Sequence, residues 1–207
     1  MDTQPVVFLV DDEIAILEAL GRLLRMEGFT VRAWNSSLQF LKDHQPEIPG
    51  CLVVDVRMPD LDGLELQRAL QKSGSERPIV FVTGQGDISM TVQAMKAGAV
   101  SFLPKPVKRV ELVAAVREAI AKDEENRAAR LERRDVEMRV EKLTPRELQV
   151  LKLVTRGLLN KQIAAELGAA EKTIKVHRAR VMQKMQVRSA AALVGLLGAD
   201  RLAGSRS

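Results

Sequence analysis

The stretch VVDVRMPDLDG, residues 53–63, carries an apolar, β-branched run directly into Asp55, then passes Arg57, Met58 and Pro59 towards Asp60 and Asp62. An apolar run of this length beside turn formers reads as a strand buried on both faces, CLVVDV (51–56), with a carboxylate at its end. Working outward, similar runs recur as PVVFLV (5–10), FTVRAW (29–34), PIVFVT (78–83) and VSFLP (100–104). Between them the apolar spacing becomes helical. Ile14, Leu17, Leu20, Leu23 and Leu24 repeat at helical intervals up to Gly28, and SSLQFLKD, LELQRALQ and ISMTVQAMKAG follow. Residues 107–122 close the series, with Val110, Val113, Val116 and Ile120 along one side. Five strands alternating with five helices predict an α/β fold, a parallel sheet covered on both faces.

In an open parallel sheet, reactive groups collect beyond the carboxyl ends of the strands. Asp11 and Asp12 follow the first strand, Asp55 ends the third, Thr83 ends the fourth and Lys105 follows the fifth. The second strand contributes nothing. A flavodoxin-like order 2-1-3-4-5 places that strand at the edge, away from the crevice between the first and third, which accounts for its silence. Neighbouring carboxylates repel unless a cation joins them, and oxygen donors with no His or Cys nearby select a hard ion such as Mg2+. Asp12 and Asp55 are the expected ligands, with Asp11 acting directly or through water. Asp55 is also a candidate nucleophile towards phosphorus, forming an aspartyl-phosphate, with Lys105 offering charge and Thr83 a hydroxyl to the transferred group. Taken singly, these residues have plainer uses. Asp11 and Asp12 suit a helix cap, Asp60 and Asp62 suit a turn beside Gly63, and Lys105 suits a surface. Complementary groups at four strand ends favour the chemical reading.

The 207 residues, 46% apolar, suffice for one or two domains, and the charge pattern favours two. Residues 1–122 carry 14 basic and 16 acidic side chains, residues 123–142 carry 6 and 7, and residues 143–207 carry 12 and 4. A small module at net +8 is an electrostatic footprint for nucleic acid. The single cysteine, Cys51, excludes an intramolecular disulfide and suits a small core position. The N-terminus lacks a basic n-region and no stretch is long enough to cross a bilayer, so a cytoplasmic protein with no membrane partner is expected. Gly84-Gln85-Gly86 is only a GxG after the fourth strand, and no GxxxxGK[ST] occurs, so nucleotide binding is not expected. Trp34, Phe40 and Phe81 read as packing residues, and His44 has no metal-spaced partners.

Val107 to Thr144 contains no glycine or proline, and KDEENRAARLERRDVEMRVEK reads as a solvated helix continuing from the last α/β helix. A flexible linker is the alternative, and Leu131, Met138 and Leu143 offer at most a short coiled-coil seam. In LTPREL, Thr144 can cap, Pro145 suits the first helical position and Glu147 completes a capping box. KQIAAEL (161–167), EKTIKVHRARVMQKM (171–185) and SAAALVGLL (189–197) are further helical segments. The short Gly-Ala-Ala turn between Leu167 and Glu171 fits a helix-turn-helix with 171–185 as the reading helix. Projected at about 100° per residue, that helix turns Ile174, Val181, Met182 and Met185 to one side. Lys172, Thr173, Val176, Arg180 and Gln183 face the other way with Lys175 on the flank, a face suited to phosphates and base edges. Arg178 falls on the apolar side and reads as structural, and His177 lies between the faces.

Two resemblances follow from these motifs. Asp11-Asp12, VVDVRMPDLDG, TGQGDISMTVQAMKAGAVSFLPKP and Lys105-Pro106 resemble the receiver domain of two-component response regulators of the FixJ type, over residues 1–122. LTPRELQVLKLVTRGLLNKQIAAELGAAEKTIKVHRARVMQKM resembles the LuxR-type helix-turn-helix, over residues 143–200. The resemblances imply that Asp55 accepts phosphoryl from a sensor histidine kinase, that the Arg57 carbonyl joins Asp11, Asp12 and Asp55 around Mg2+, and that Lys105-Pro106 is cis. They also imply a Thr83–Phe102 switch pair, although many receivers have tyrosine at the second position. In the basic domain they imply four helices, with Lys175, Val176 and His177 approaching DNA and Asn160-Lys161 holding phosphates. Ala170 stands where a capping serine is usual, at a cost on the order of 1 kcal/mol in helix-start stability. Leu159 replaces a small residue or proline.

The expected organisation is a receiver at 1–122, a charged helical linker at 123–142 and a DNA-binding domain at 143–207. The expected activity is transcription regulation without substrate turnover, apart from loss of the receiver's own phosphate. Phosphorylation is expected to produce a homodimer that binds a two-fold double-stranded DNA operator and meets RNA polymerase. A phosphorylation-independent regulator whose receiver only binds protein, and an aspartyl-phosphate hydrolase, are the alternatives.

Overall fold

The computed structural model describes residues 4–84 and 88–204, in two compact units, Met1–Arg127 and Ala128–Ser207. Gln85 and Gly86 of the GxG stretch lie outside the described residues. The first unit alternates β1 (Val6–Val10), α1 (Ile14–Met26), β2 (Thr30–Trp34), α2 (Ser37–Asp43), β3 (Gly50–Asp55), α3 (Gly63–Lys72), β4 (Ile79–Thr83), α4 (Ile88–Lys96) and β5 (Ser101–Pro104). The strands are parallel and ordered β2-β1-β3-β4-β5, as the strand-end reading requires.

Strand alternation assigns the two faces. Phe8, Val10, Leu52, Val54 and Phe81 pack with Phe40, Leu66 and Leu70 on one face. Val7, Leu9, Val53, Val80 and Val82 pack with Leu24, Leu112 and Val116 on the other. Because both faces are covered, β1, β3 and β4 are buried along their whole length. Cys51 is buried among them, and burial pushes its thiol up to about 12.

Two glycines let backbones close around β3. A Cβ on Gly50, at φ +134°, would lie 1.9 Å from the Val6 carbonyl oxygen, and one on Gly63 would lie 2.4 Å from that of Asp55. Asp62, read from sequence as a turn residue, caps α3. Its carboxylate accepts from Glu65 N at 2.7 Å while Glu65 accepts from Asp62 N, a capping box written as D-x-x-E.

Helix α5 runs unbroken from Arg109 to Glu141, so the segment after residue 122 is helical, although it is not solvated throughout. Val110, grouped by spacing with the buried stripe, is 79% exposed because the buried face is formed by Leu112, Ala115, Val116 and Ala119. Val110 sits well away from the centre of that stripe at about 100° per residue. Ile14 at the start of α1 is likewise exposed. Asp123 is buried and accepts from Gly50 N at 2.8 Å and Arg127 Nε at 2.6 Å. Arg127 also donates to the carbonyls of Pro46, Glu47 and Ile48. Beside it Arg77, 6% exposed, donates to the carbonyls of Gln45, Ile48 and Gly50 and lies 4.0 Å over the Phe8 ring. None of this cluster is visible as spacing, since its partners come from four separate stretches of chain. His44, to which sequence assigned no role, leans on the Phe40 ring and contacts Ser75.

The second unit contains the last turns of α5 and α6 (Pro145–Thr155), α7 (Asn160–Glu166), α8 (Glu171–Met185) and α9 (Ala190–Gly204). Val136 of α5, Val150, Leu151, Val154, Ile163, Ile174, Val181, Met185 and Leu193 form its core. Leu143 packs against this core, whereas Leu131 and Met138 stay exposed, so the three do not form one seam inside the chain. The Thr144–Glu147 capping box is present, and buried Glu147 also receives Lys184 Nζ at 2.6 Å. That ammonium, with the Thr144 N–H, draws the Glu147 carboxyl down to about 2.

Candidate functional site

At the carboxyl edge of the sheet, strand ends deliver the expected groups to one place. Asp11 follows β1 and Asp55 ends β3, and both are buried. Lys105, just past β5, lies between them, with Nζ 2.8 Å from Asp11 Oδ2 and 3.0 Å from Asp55 Oδ1. Thr83 ends β4, is 1% exposed, and its carbonyl accepts from Lys105 N at 2.6 Å. The Lys105-Pro106 bond is cis.

Local turns orient the two carboxylates. Asp11 Oδ1 accepts from Glu13 N at 2.9 Å and Asp55 Oδ2 accepts from Arg57 N at 2.7 Å, so each acid is held by the backbone two residues on. Burial pushes the Asp55 carboxyl up, against the opposing pull of Lys105. Burial pulls Lys105 down, but the two carboxylates outweigh it and its ammonium is held above the ordinary range. One ammonium therefore serves two buried acids.

Other residues stand further out. Asp12 is exposed, and Glu13, which sequence reading left unused, reaches 3.5 Å from Lys105 Nζ. Arg57 is exposed beside Asp55. Phe102 does not enter the acidic cluster and packs against Phe81 with ring centroids 6.1 Å apart. Among the described residues no group of three His, Cys, Asp or Glu side chains closes on a common metal position. The donor chemistry nonetheless fits a hard divalent cation. All donors are oxygens, and the two buried acids carry one more negative charge than Lys105 cancels.

In the second unit, α8 buries Ile174, Val181 and Met185, and Met182 packs against the same core. Lys172, Thr173, Lys175, Val176, Arg180 and Gln183 are exposed, while His177 is half-buried between the two sides. Ala170 at the start of α8 provides no side-chain cap. Lys161 is exposed next to Asn160, the first residue of α7. Leu159 is 68% exposed, and its N–H is taken by Gln162 Oε1 at 2.8 Å. Arg178 turns from the exposed basic face of α8 and donates to Asn160 Oδ1 at 3.1 Å.

A parallel sheet with an acidic pocket and lysine at its carboxyl edge, joined in one chain to a helix-turn-helix, defines a receiver coupled to a DNA-binding module. Comparison with known proteins agrees. Residues 7–117 match the response regulator receiver domain, and residues 141–197 match the bacterial regulatory proteins of the luxR family. The chain is 46% identical over 192 residues to nodulation protein W of Bradyrhizobium diazoefficiens, covering 93% of this chain and 85% of that protein. It is 41% identical to the transcriptional regulatory protein FixJ of the same organism, covering 95% and 96%. A solved structure of the response regulator StyR matches with a TM-score of 0.81 and 49% identity, over 94% of this chain and 98% of that one. The chain belongs to the response regulators that carry a receiver and a LuxR-type DNA-binding domain, and it is a transcriptional regulator. Membership implies a histidine kinase as partner and DNA as target, and receivers of this family generally bind Mg2+ at the phosphorylation site. Among the described residues no helix is long and apolar enough to cross a membrane.

Proposed function

We propose that Asp55 is the phosphoacceptor and that its phosphorylation drives receiver dimerisation and operator binding. The observation carrying this reading is Lys105 Nζ between the Asp11 and Asp55 carboxylates at the sheet edge. Asp55 attacks the phosphorus of a phosphohistidine on the kinase, a P–O bond forms as the P–N bond breaks, and the imidazole leaves. Lys105 and the Thr83 hydroxyl then hold oxygens of the new phosphoryl group. Asp11, Asp12, Asp55 and the Arg57 carbonyl would hold Mg2+, which when bound offsets charge on the phosphoryl oxygens. The same site supports the receiver's own dephosphorylation, with no separate substrate.

Thr83, drawn towards the phosphate, and Phe102, packed on Phe81 at the sheet's far strands, form the switch that remodels the α4–β5 surface for a second copy. In this reading residues 1–122 are the receiver, 123–142 the linker and 143–207 the DNA-binding domain. Lys172, Thr173, Lys175, Val176, His177 and Arg180 face the operator, and Asn160 with Lys161 holds phosphates. The dimer acts on a two-fold site in the cytoplasm, with RNA polymerase as a further partner. Incubating wild type and Asp55→Asn with a small-molecule phosphodonor and Mg2+ tests the reading on a phosphate-sensitive gel. Wild type is expected to shift and dimerise and Asp55→Asn to do neither; labelling that persists in Asp55→Asn overturns it.

A further inference from the structure

Arg178 is a basic residue of the second unit that turns from the exposed basic face of α8. It shares a side of α8 with the buried Ile174, Val181 and Met185, and its Nη1 donates to Asn160 Oδ1 at 3.1 Å and to the Leu158 carbonyl at 3.5 Å. A guanidinium has donors only, whereas a carboxamide has an acceptor at one end and a donor at the other. The end of Asn160 that meets Arg178 is therefore its oxygen, and its NH2 group faces away. The backbone at this helix start is closed by a different side chain, since Leu159 N donates to Gln162 Oε1. Nothing in that closure chooses which end of the Asn160 amide points outward.

We propose that Arg178 is a positioning residue for DNA binding, fixing the Asn160 amide so that its NH2 is presented to a phosphate beside Lys161. This inference rests on the phosphate contact proposed for Asn160. Without Arg178 the amide can turn over and offer its carbonyl oxygen, which repels a phosphate. The contact to Leu158 adds a second tie, holding the turn before α7 against the reading helix. Arg178 thus acts on DNA through Asn160 and makes no phosphate contact of its own.

The test is a double-mutant cycle on the full chain, with fluorescence anisotropy on a short random-sequence DNA duplex over a salt series. Arg178→Met keeps the apolar stem and removes the donors, and Asn160→Ala removes the amide. Arg178→Met is expected to weaken binding about fivefold, the scale of one hydrogen bond, and to add nothing in the Asn160→Ala background. The slope of log affinity against log salt is expected to stay unchanged, because no phosphate-bound cation is lost; a direct Arg178–phosphate contact would lower it by about 0.9. Arg178→Lys, which keeps one donor nitrogen, is expected to recover part of the loss. If Arg178→Met melts early, the Arg178→Lys cycle replaces it, and a smaller coupling of the same sign is read. Additive losses or a reduced slope overturn the Arg178 inference alone. Unchanged affinity in Asn160→Ala overturns the phosphate contact beneath it.

Discussion

The two ends of β3 carry opposite kinds of buried ionic cluster. At its start, Asp123 binds Arg127 and the Gly50 N–H with Arg77 nearby, and the surplus positive charge is absorbed by loop carbonyls from Gln45 to Gly50. Burial pulls Arg77 down to about 10, yet the group remains a cation with hydrogen-bond acceptors and an aromatic face around it. At the other end Asp55 and Asp11 share one lysine, and burial pushes Asp55 up. Apart from Arg77 Nε, which is buried without a hydrogen-bond partner, the first cluster is closed by groups the fold supplies. The second leaves two buried carboxylates on one ammonium, the charge balance that the proposed Mg2+ and phosphoryl site calls for. The second unit repeats the contrast on a smaller scale, with α6 closed by Thr144, Glu147 and Lys184 and α8 starting uncapped at Ala170.

The strongest way to break this comparison is at the closed end. Asp123→Ala leaves Arg127 and the Gly50 N–H without their shared acceptor, and is expected to cost about 3 kcal/mol. Urea unfolding followed by Trp34, the only tryptophan and a member of the first unit, reads this directly. A loss below about 1 kcal/mol would mean that the carbonyls alone satisfy the arginines.

Glu147→Gln comes next, at about 2 kcal/mol in the second unit, from a lost charge-assisted bond to Lys184 and a weakened cap. The Glu147 carboxyl titrates lower folded than unfolded, so its contribution is whole above about 4.5 and drains away as pH falls towards about 2. Far-UV melts across that window should show wild type losing an increment that Glu147→Gln never had. An identical acid dependence in both would remove the buried pair from the account.

The smallest effect is expected at the open end, with the opposite sign. A carboxyl whose pKa is raised by folding supports the fold at low pH and loses that support as pH rises through the folded value, so the ionised form of Asp55 favours folding less than its protonated form. Asp55→Asn should raise stability by about 1 kcal/mol in the Trp34-monitored unfolding, while abolishing phosphorylation. A destabilised Asp55→Asn would place this carboxylate with the closed clusters.

Much of the fold was legible because its cues are local. The strands β1, β3 and β4 are unbroken apolar runs, the helices repeat at their own period, and Asp11, Asp55, Thr83 and Lys105 are recognisable as strand ends once the strands are recognised. Capping was legible too, at Thr144 and, had D-x-x-E been read as such, at Asp62. The misplacement of Val110 has a plain origin. Periodicity states which residues share a side, and a first-turn residue can be apolar without reaching the core.

Short-range periodicity and charge composition were enough to read two modules, a parallel sheet of five strands in an order that gathers acids at one edge, and a basic helix in the second module. Only the tertiary structure decided that Lys105 bridges Asp11 and Asp55, that Asp123 fastens to Gly50, and that Arg178 turns to Asn160. Those pairs are 94, 50, 73 and 18 residues apart. A side chain's partner across such distances is chosen by how elements pack, and packing is a property of the whole fold rather than of any stretch within it.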